Sequence, residues 1–203
     1  MSSIAGPAET EPGTSARAEV RRTQILEAAA ACFREHGFHG ASIARISRAS
    51  GMSPGHIYHY FRNKEEIIEA IVEQDVARIL DVHGRLRATA DPEATTMVCV
   101  AEAVRNMLDP DMAALKLEIL AEAARNARIA ELVRAADRRT RASLIETLCA
   151  LGKARSADDL DECADSLCAM FDGLMTRGVR NPDLDADTVT RRYQRMVKSL
   201  LQL

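Results

Sequence analysis

The residues best suited to chemistry lie close together in one short segment, 51–61, which reads Gly-Met-Ser-Pro-Gly-His-Ile-Tyr-His-Tyr-Phe. A helix starting at Pro54 would turn Ile57 and Phe61 inward. The opposite face then carries four residues that hydrogen-bond or permit close approach: Gly55, His56, Tyr58 and His59. Flat Tyr and His side chains on a short helix suit contact with the groove of a nucleic acid. The sequence has no nucleophile–base pair, phosphate loop or metal-ligand cluster, so it favours binding over catalysis, and no metal or cofactor is predicted.

Two short helices around a glycine turn would position this surface. Ser42 is a good N-cap for the first of them, whose predicted inward residues are Ile43, Ile46 and Ala49. Gly51 interrupts the helical pattern and predicts a backbone with positive φ. Ser53 caps the next helix, and Pro54 occupies its first position, where a missing N–H costs nothing. A longer helix from Arg17, closed at Gly37, precedes them and completes a three-helix unit.

Charge separates this unit from the rest of the chain. Residues 17–64 hold eight Lys and Arg against three Glu, whereas residues 65–203 hold 19 Lys and Arg against 25 Asp and Glu. A basic head on an acidic body predicts that only the head meets a polyanion. Arg45 and Arg48, with Arg17, Arg21 and Arg22, could contact phosphates, although a solvated face explains each arginine equally well.

The rest of the sequence predicts an all-α chain of about nine helices. Aromatic residues make up 3% of the chain, and Ala and Leu dominate, which favours helices over sheets. Asp91-Pro92 and Asp109-Pro110 predict helix starts, as do Ser156 with Asp159 and Asn63 before a long helix, whereas Gly152 and Gly178 predict helix ends. We therefore expect a disordered tail over 1–16, a helix-turn-helix domain over 17–63 and a larger helical domain over 64–203.

The motif in the head resembles the DNA-binding signature of the TetR family. The shared pattern runs from Phe33 through Gly37, Ser42, Ile46 and the 51–61 segment to Lys64-Glu65. The stretch from Leu117 to Asn126 is faintly similar to the BetI-type branch of that family. Ser47 stands where the family usually has Ala, and His56 where a small hydroxyl residue is common. Base preference therefore does not carry over from relatives.

The resemblance implies a DNA-binding transcriptional regulator, not an enzyme, whose third helix enters the major groove of a palindromic operator. Carried over by position, Gly55 and His56 approach base edges, and Tyr58 touches a thymine methyl or a phosphate. Tyr60 and Lys64 contact phosphates, and Ser42 offers backbone N–H groups to another. The predicted DNA-binding set is Ser42, Arg45, Ser53, Gly55, His56, Tyr58, His59, Tyr60 and Lys64.

The family further implies a homodimer, and a small-molecule effector that releases a repressor from its operator. The last two long helices carry two apolar stripes that predict the dimer interface: Leu160, Ala164, Leu167, Cys168, Phe171, Leu174 and Met175, and Val189, Tyr193, Met196, Val197 and Leu200. The predicted effector-binding residues, each of which could equally be core or surface, are His83, Met107, Leu120, Met170, Phe171 and Met175. Asp172 is a further candidate polar anchor.

Other functions stay open at this stage. The motif could be a structural helical hairpin, and the chain could be a helical enzyme, an interaction scaffold, an activator or a purely structural DNA-binding protein. The five cysteines form no CxxC pair and are predicted to be reduced core residues, with redox sensing as the alternative. No apolar run is long enough to span a membrane, and no signal-peptide pattern begins the chain, so a cytoplasmic location is expected.

Overall fold

The computed structural model describes residues 12–151 and 156–202, and within these residues every regular element is a helix. The nine helices of the described chain are α1 (Pro12–Gly40), α2 (Ile43–Ser50), α3 (Pro54–Tyr60), α4 (Lys64–Ala88), α5 (Pro92–Leu108), α6 (Pro110–Ala123), α7 (Ala127–Leu151), α8 (Ala157–Arg180) and α9 (Ala186–Leu201). The all-α prediction is confirmed. The chain divides into two compact units between Ile67 and Ile68.

The N-terminal unit is built on α1, α2, α3 and the first residues of α4. Its core includes Ile46, Ile57 and Phe61, which the sequence predicted to face inward, together with Phe33, Phe38 and Met52. The rings of Phe33 and Phe38 pack 5.8 Å apart. One prediction was wrong, because Ala49 is exposed, whereas Ser50, one helical turn after Ile46, is buried. The buried face of α2 therefore follows i, i+4 spacing from Ile46.

Two glycines adopt positive φ in this unit. Gly37 interrupts α1 with φ 69° and ψ 168°, outside the helical region, so α1 consists of two helical pieces. Gly51 ends α2 in the left-handed conformation, with φ 68° and ψ 17°. Both positions match the turns expected from the sequence. The helix before Gly37 begins at Pro12 and not at Arg17, and the earlier part of the predicted tail, residues 1–11, lies outside the described residues.

The C-terminal unit is a helical bundle in which α5 is central. α5 packs against α6, α8 and α9, and α7 packs against α6 and α8. The predicted starts are confirmed, since Asp91, Asp109 and Ser156 cap α5, α6 and α8, and Ser156 forms a capping box with Asp159. The predicted helix end at Gly152 lies outside the described residues.

The predicted helix end at Gly178 was wrong. α8 continues to Arg180, and a Cβ atom built on Gly178 would lie 3.1 Å from Leu108 Cδ2 at the end of α5. Glycine at this position lets two helices approach closely and does not end one.

The two apolar stripes predicted for dimerisation are used largely inside one chain. Because α5 packs against both α8 and α9, most stripe residues enter the unit's own core: Leu160, Ala164, Leu167, Leu174, Val189 and Val197 are buried there. Among the stripe residues, Met196 is the clearest exception, with 51% of its surface exposed. Any interface on these helices must therefore use their outer faces.

The cysteines are free, and three of them are buried as predicted: Cys32, Cys99 and Cys163. Cys168 is partly buried and Cys149 is exposed, so the prediction that all five are core residues was wrong for Cys149. Across the described residues, no helix combines the length and hydropathy that crossing a bilayer requires.

Candidate nucleic-acid interface and ligand cavity

Helix α3 is held by its two ends and one buried side chain. Ser53 Oγ accepts a hydrogen bond from the His56 backbone N–H at 3.2 Å, and Pro54 follows in the first turn. Ile57 is fully buried beneath the helix. This arrangement leaves Gly55, His56, Tyr58 and His59 exposed, as the sequence predicted. Tyr58 has 54% of its surface exposed, which is unusual for a large aromatic residue.

The aromatic side chains of α3 support one another. The Tyr60 ring lies 5.4 Å from the His56 ring and 5.3 Å from the His59 ring, with the second pair edge to face. Tyr60 is partly buried, so it forms the inner member of this group. Aromatic pairs at these distances limit the orientations of the outer rings. The exposed His56 and His59 rings are thus braced on the protein before any ligand arrives.

The turn between α2 and α3 is fixed by side-chain hydrogen bonds. Ser47 Oγ donates to the Met52 carbonyl at 2.5 Å, and Gln24 Nε2 of α1 donates to the Ser50 carbonyl at 3.0 Å. Gly51 supplies the left-handed backbone between them. Ser47, the departure from the family pattern, therefore has a structural role that alanine could not fill. Gln24 was not singled out in the sequence, because its partner lies 26 residues away.

Helix α2 contributes a capped N-terminus and an exposed cation. Ser42 Oγ accepts a hydrogen bond from the Arg45 backbone N–H at 3.2 Å, which confirms the predicted cap. The Arg45 guanidinium lies 3.1 Å from His36 Nε2. Because a guanidinium can only donate, His36 accepts through Nε2. Arg45 is held on the surface of this unit with its remaining N–H groups available to an anion.

Lys64 has a partner within its own unit. Its ammonium donates to the Phe38 carbonyl at 2.6 Å and lies 4.4 Å from the centre of the Phe38 ring. Arg22 likewise sits over the Phe61 ring, at 5.4 Å. Lys64 therefore fastens the start of α4 to the residues that follow Gly37. If the Lys64 ammonium contacts a phosphate, it bonds to that phosphate and to the Phe38 carbonyl at the same time.

A cavity of about 280 Å³ lies within the C-terminal unit. Its wall is mostly aliphatic, with residues from each of the six helices α4 to α9. Of the predicted effector-binding residues, the structure brings together His83, Met107 and Phe171, along with Asp172. Leu120, Met170 and Met175 are not part of the lining. Leu120 is 47% exposed on α6, Met170 packs beside the core cluster, and Met175 is buried.

One part of the wall carries a buried polar network. His83 Nδ1 lies 3.1 Å from Ser143 Oγ, and Arg87 donates to Ser143 Oγ at 3.1 Å and to Thr147 Oγ1 at 2.8 Å. Burial, and then the nearby Arg87 guanidinium, lower the pKa of His83 to about 4. His83 is therefore neutral at physiological pH.

Charged residues occupy another part of the wall. Lys116 Nζ lies 3.1 Å from Asp75 Oδ2, and Arg78 pairs with the same carboxylate. Burial raises the pKa of Asp75, but Lys116 and Arg78 together bring it below its ordinary value. Burial raises the pKa of Asp172; Lys116 opposes that rise, and Asp137 adds to it.

Several wall residues were not identified from the sequence. In the sequence, Thr96 and Thr147 of the wall, and Arg87 behind it, look like ordinary helix residues, since nothing in their local pattern shows that α4, α5 and α7 converge. Within the polar network, only His83 carried a signal, as a histidine on a mostly apolar helix face. Among the described residues, no group of three or more His, Cys, Asp or Glu side chains could hold a metal ion.

Two family models match the chain. The model described as "Bacterial regulatory proteins, tetR family" matches residues 25–71, which contain the α2–α3 surface. The model described as "BetI-type transcriptional repressor, C-terminal" matches residues 98–202, about half of the chain. The faint similarity near Leu117 thus belongs to a match that extends over most of the C-terminal unit.

Individual relatives agree with these models. The HTH-type transcriptional regulator UidR of Escherichia coli (strain K12) is 36% identical over 118 residues, which are 58% of this chain and 59% of that protein. The HTH-type transcriptional repressor AcnR of Corynebacterium glutamicum is 44% identical over 61 residues, 30% of this chain and 32% of that protein. The matched segments span less than two thirds of both relatives.

Among solved structures, Salmonella enterica GusR is similar over nearly the whole chain. It is 30% identical, with a TM-score of 0.74, and the match covers 96% of this chain and 98% of that one. Both units described above therefore have counterparts in a single known protein.

Proposed function

Since the chain belongs to the TetR family of bacterial regulatory proteins, we propose that it is a sequence-specific DNA-binding transcriptional regulator that acts in the cytoplasm. It is a repressor that a small-molecule effector releases from its operator. The observation that carries this proposal is the exposed face of α3. That face holds His56, Tyr58 and His59 above a buried Ile57, within the basic N-terminal part of the chain.

Helix α3 enters the major groove of duplex DNA. Its exposed side chains can donate and accept hydrogen bonds, and Gly55 adds no side chain that would keep the backbone from the bases. Gly55 and His56 approach base edges, and Tyr58 meets a thymine methyl or a phosphate. His59 lies on the same exposed face and adds a further contact.

Phosphate contacts surround this helix. The N-termini of α2 and α3, capped by Ser42 and Ser53, direct backbone N–H groups outward. Arg45 on α2 and Lys64 at the start of α4 supply positive charge, and Tyr60 supplies a hydroxyl group. These contacts orient the protein on the duplex, whereas the exposed face of α3 reads the sequence.

The protein binds a palindromic operator as a homodimer through α8 and α9. Exposed apolar residues support this assignment: Val179 and Met196 have 54% and 51% of their surfaces exposed. Gly173 is also exposed, and a Cβ atom built there would meet no atom of the described residues within 4 Å. A second copy packed on these outer faces would set two α3 helices about one turn of DNA apart, roughly 34 Å.

The effector occupies the cavity lined by His83, Met107 and Phe171. Helix α4 supports this assignment, because it includes Lys64 at its start and His83 near its end. Occupancy of the cavity can then favour one position of α4, and with it one spacing of the two recognition helices. The response is set by the difference in effector affinity between the DNA-bound and released states.

The first test is DNA binding by the purified protein and by Tyr58→Ala. Footprinting on the region upstream of its own coding sequence would locate the operator, and fluorescence anisotropy would then give affinities at fixed low salt. Tyr58→Ala should weaken binding by about 5- to 100-fold, which corresponds to one lost contact of roughly 1–3 kcal/mol. Its melting temperature should not change, because Tyr58 is largely exposed.

Val98→Ala is the matched control. Val98 also has 54% of its surface exposed, but it lies on α5 in the C-terminal unit, so this variant should bind the operator normally. Wild-type protein that binds no duplex at low salt would contradict the proposal. Full operator affinity in Tyr58→Ala and His56→Ala together would show that α3 is not the reading surface. Reporter expression that rises when the gene is deleted would support repression rather than activation.

A further inference from the structure

A buried hydroxyl group in the cavity wall has no hydrogen-bond partner in the described part of the chain. Thr96 on α5 is 3% exposed, and its Oγ1 atom contacts no donor or acceptor there. The neighbouring Thr95 differs, since its hydroxyl pairs with Thr89 Oγ1 at 2.7 Å. Buried hydroxyl groups are nearly always paired in native proteins, because losing water without replacing it costs free energy. The exception lies in the wall of the cavity proposed to bind the effector.

His83, in the same wall, is the second polar group of this part of the cavity. Arg87 donates to Ser143 Oγ, and a Ser143 hydroxyl that donates in turn to His83 Nδ1 completes a continuous chain of hydrogen bonds. A neutral ring that accepts at Nδ1 carries its proton on Nε2. That nitrogen has no partner among the described residues. With this tautomer, Nε2–H is a donor beside a cavity whose wall is mostly aliphatic.

We propose that this cavity binds an uncharged small molecule with an apolar body and an oxygen acceptor, a hydroxyl or a carbonyl, that hydrogen-bonds to His83 Nε2 and to the Thr96 hydroxyl. The inference rests on the proposed function, in that this molecule is the effector. Threonine in a helix has two common χ1 rotamers, which gives the hydroxyl of this lining residue more than one orientation in which to meet a ligand. The aliphatic lining takes the apolar body.

The charges around the cavity disfavour an ammonium ligand. Arg87 places a guanidinium beside the polar network, where it would repel a second cation. The carboxylates of the wall have cations nearby, since Glu102 pairs with Arg85 at 2.6 Å and Asp172 lies within the field of Lys116. Asp137 is exposed and therefore hydrated. In the described wall, therefore, no buried carboxylate is available to pair with a positively charged ligand.

A carboxylate ligand is disfavoured for the matching reason. Both cations of the wall, Lys116 and Arg78, are held by Asp75. An anion would exchange its water for neutral polar groups, such as the His83 imidazole and the Thr96 hydroxyl, with Asp137 and Asp172 in the same wall. The volume of about 280 Å³ corresponds to roughly nine water-sized volumes of 30 Å³, so the ligand is compact.

Three compact probes that differ only in their polar group test this inference on the full-length chain without DNA. They are cyclohexylmethanol, cyclohexylmethylammonium and cyclohexanecarboxylate, and binding is followed by calorimetry and by the shift in melting temperature. We expect saturable binding of the alcohol, at least tenfold tighter than that of either charged probe. Tighter binding of the ammonium or the carboxylate, or no saturable binding of the alcohol, would overturn the proposal.

Substitutions at Thr96 separate a ligand contact from a structural role. Thr96→Val should bind the alcohol at least fivefold more weakly, while its unliganded melting temperature stays equal or rises, because the lost hydroxyl had no partner. Thr96→Ser keeps a hydroxyl and should bind nearly as the wild type does. His83→Gln and His83→Phe should both lose affinity, so the conclusion does not depend on one variant folding.

Unchanged alcohol affinity in Thr96→Val, or a clear loss of its unliganded stability, would contradict the assigned contact. Operator binding is measured separately and without any probe. A protein that binds its operator but not the alcohol refutes this inference alone, whereas a protein that binds no DNA refutes the proposed function.

Discussion

His83 illustrates how burial changes the chemistry of one side chain. Its ring is 8% exposed and contacts Ser143, and its pKa falls from about 6.5 to about 4 through burial and the nearby Arg87. A histidine that is neutral in the folded chain gains a proton more readily when the chain unfolds. This residue therefore links protonation to the stability of the C-terminal unit.

The sign of that linkage gives a pH prediction. Between about pH 6.5 and pH 4 the unfolded chain binds more protons at His83 than the folded chain, so stability should fall as the pH drops through this window. Through His83, the free energy of unfolding should fall by as much as about 3 kcal/mol across this window. Thermal unfolding of wild-type protein and of His83→Gln, compared from pH 7.5 to pH 4, should show a shallower decline in the variant.

His59→Gln provides the control for that series. His59 is exposed on α3, so the variant should follow the wild-type curve over the whole pH range. Parallel curves for His83→Gln and wild type would mean that His83 has the same pKa in the folded and unfolded chains.

For single residues, the sequence predicted which side chains are exposed better than it predicted which residues they contact. The outward positions of His56 and Tyr58 followed from helix periodicity, because Ile57 between them had to be buried. Lys64 was expected on the surface as a phosphate contact, but its bond to Phe38 joins residues 26 positions apart. Thr96 gave no signal for a related reason, since an unpaired hydroxyl is defined by the neighbours that folding brings together.

Among the elements, α8 depends most on a close approach to another helix. Gly178 faces the end of α5, where an added Cβ atom would lie 3.1 Å from Leu108 Cδ2 and 3.8 Å from the Leu108 Cα atom. The side-chain end of Leu108 can yield to one methyl group, but the backbone behind it cannot yield to a branched residue.

Substitution of Gly178 tests this contact. Gly178→Ala should be close to neutral, because better helix propensity offsets a small shift of Leu108. Gly178→Val should lower the free energy of unfolding by about 1–3 kcal/mol, as overpacking does elsewhere. Urea unfolding of both variants measures the difference.

Gly84→Val serves as the comparison within α4. A Cβ atom at Gly84 meets nothing within 4 Å, so this variant should keep wild-type stability. Adding Leu108→Ala to the Gly178→Val variant should recover part of the free energy of unfolding that Gly178→Val loses. A Gly178→Val protein as stable as the wild type would show that α5 and α8 have room to separate.

Helix boundaries were predictable wherever a cap supplied a local signal. The side chains of Asp91, Asp109 and Ser156 each accept a hydrogen bond from the backbone N–H three residues later. Each cap can therefore be recognised from four consecutive residues of the sequence. The partner of a helix face is not local. The α8 stripe looked like an interface between subunits because nothing near it indicates that α5 runs alongside.

For the whole molecule, self-association is the property on which operator recognition depends. The inner faces of α8 and α9 are buried within the chain, so their exposed residues must provide the dimer contacts. Met196→Glu places a charge on the proposed interface and should weaken dimerisation by at least tenfold. Sedimentation velocity across a concentration series gives the monomer–dimer equilibrium directly.

Val98→Glu is the control for this experiment, since Val98 has nearly the same exposure as Met196 but lies on α5. It should leave the dimer intact. Operator affinity should fall together with dimerisation in Met196→Glu, because one recognition helix makes only half of the contacts. A Met196→Glu protein that remains dimeric would move the interface away from this part of α9.

Gly37 has a consequence for how this gene tolerates change. Its φ of 69° with ψ of 168° lies in a region that only glycine occupies readily, whereas Gly51, at φ 68° and ψ 17°, has a conformation that asparagine also adopts. Every missense change in the Gly37 codon introduces a Cβ atom just before Phe38, whose carbonyl holds Lys64. In a saturation library selected for operator binding, codon 37 should therefore retain glycine almost alone, while codon 51 also admits asparagine.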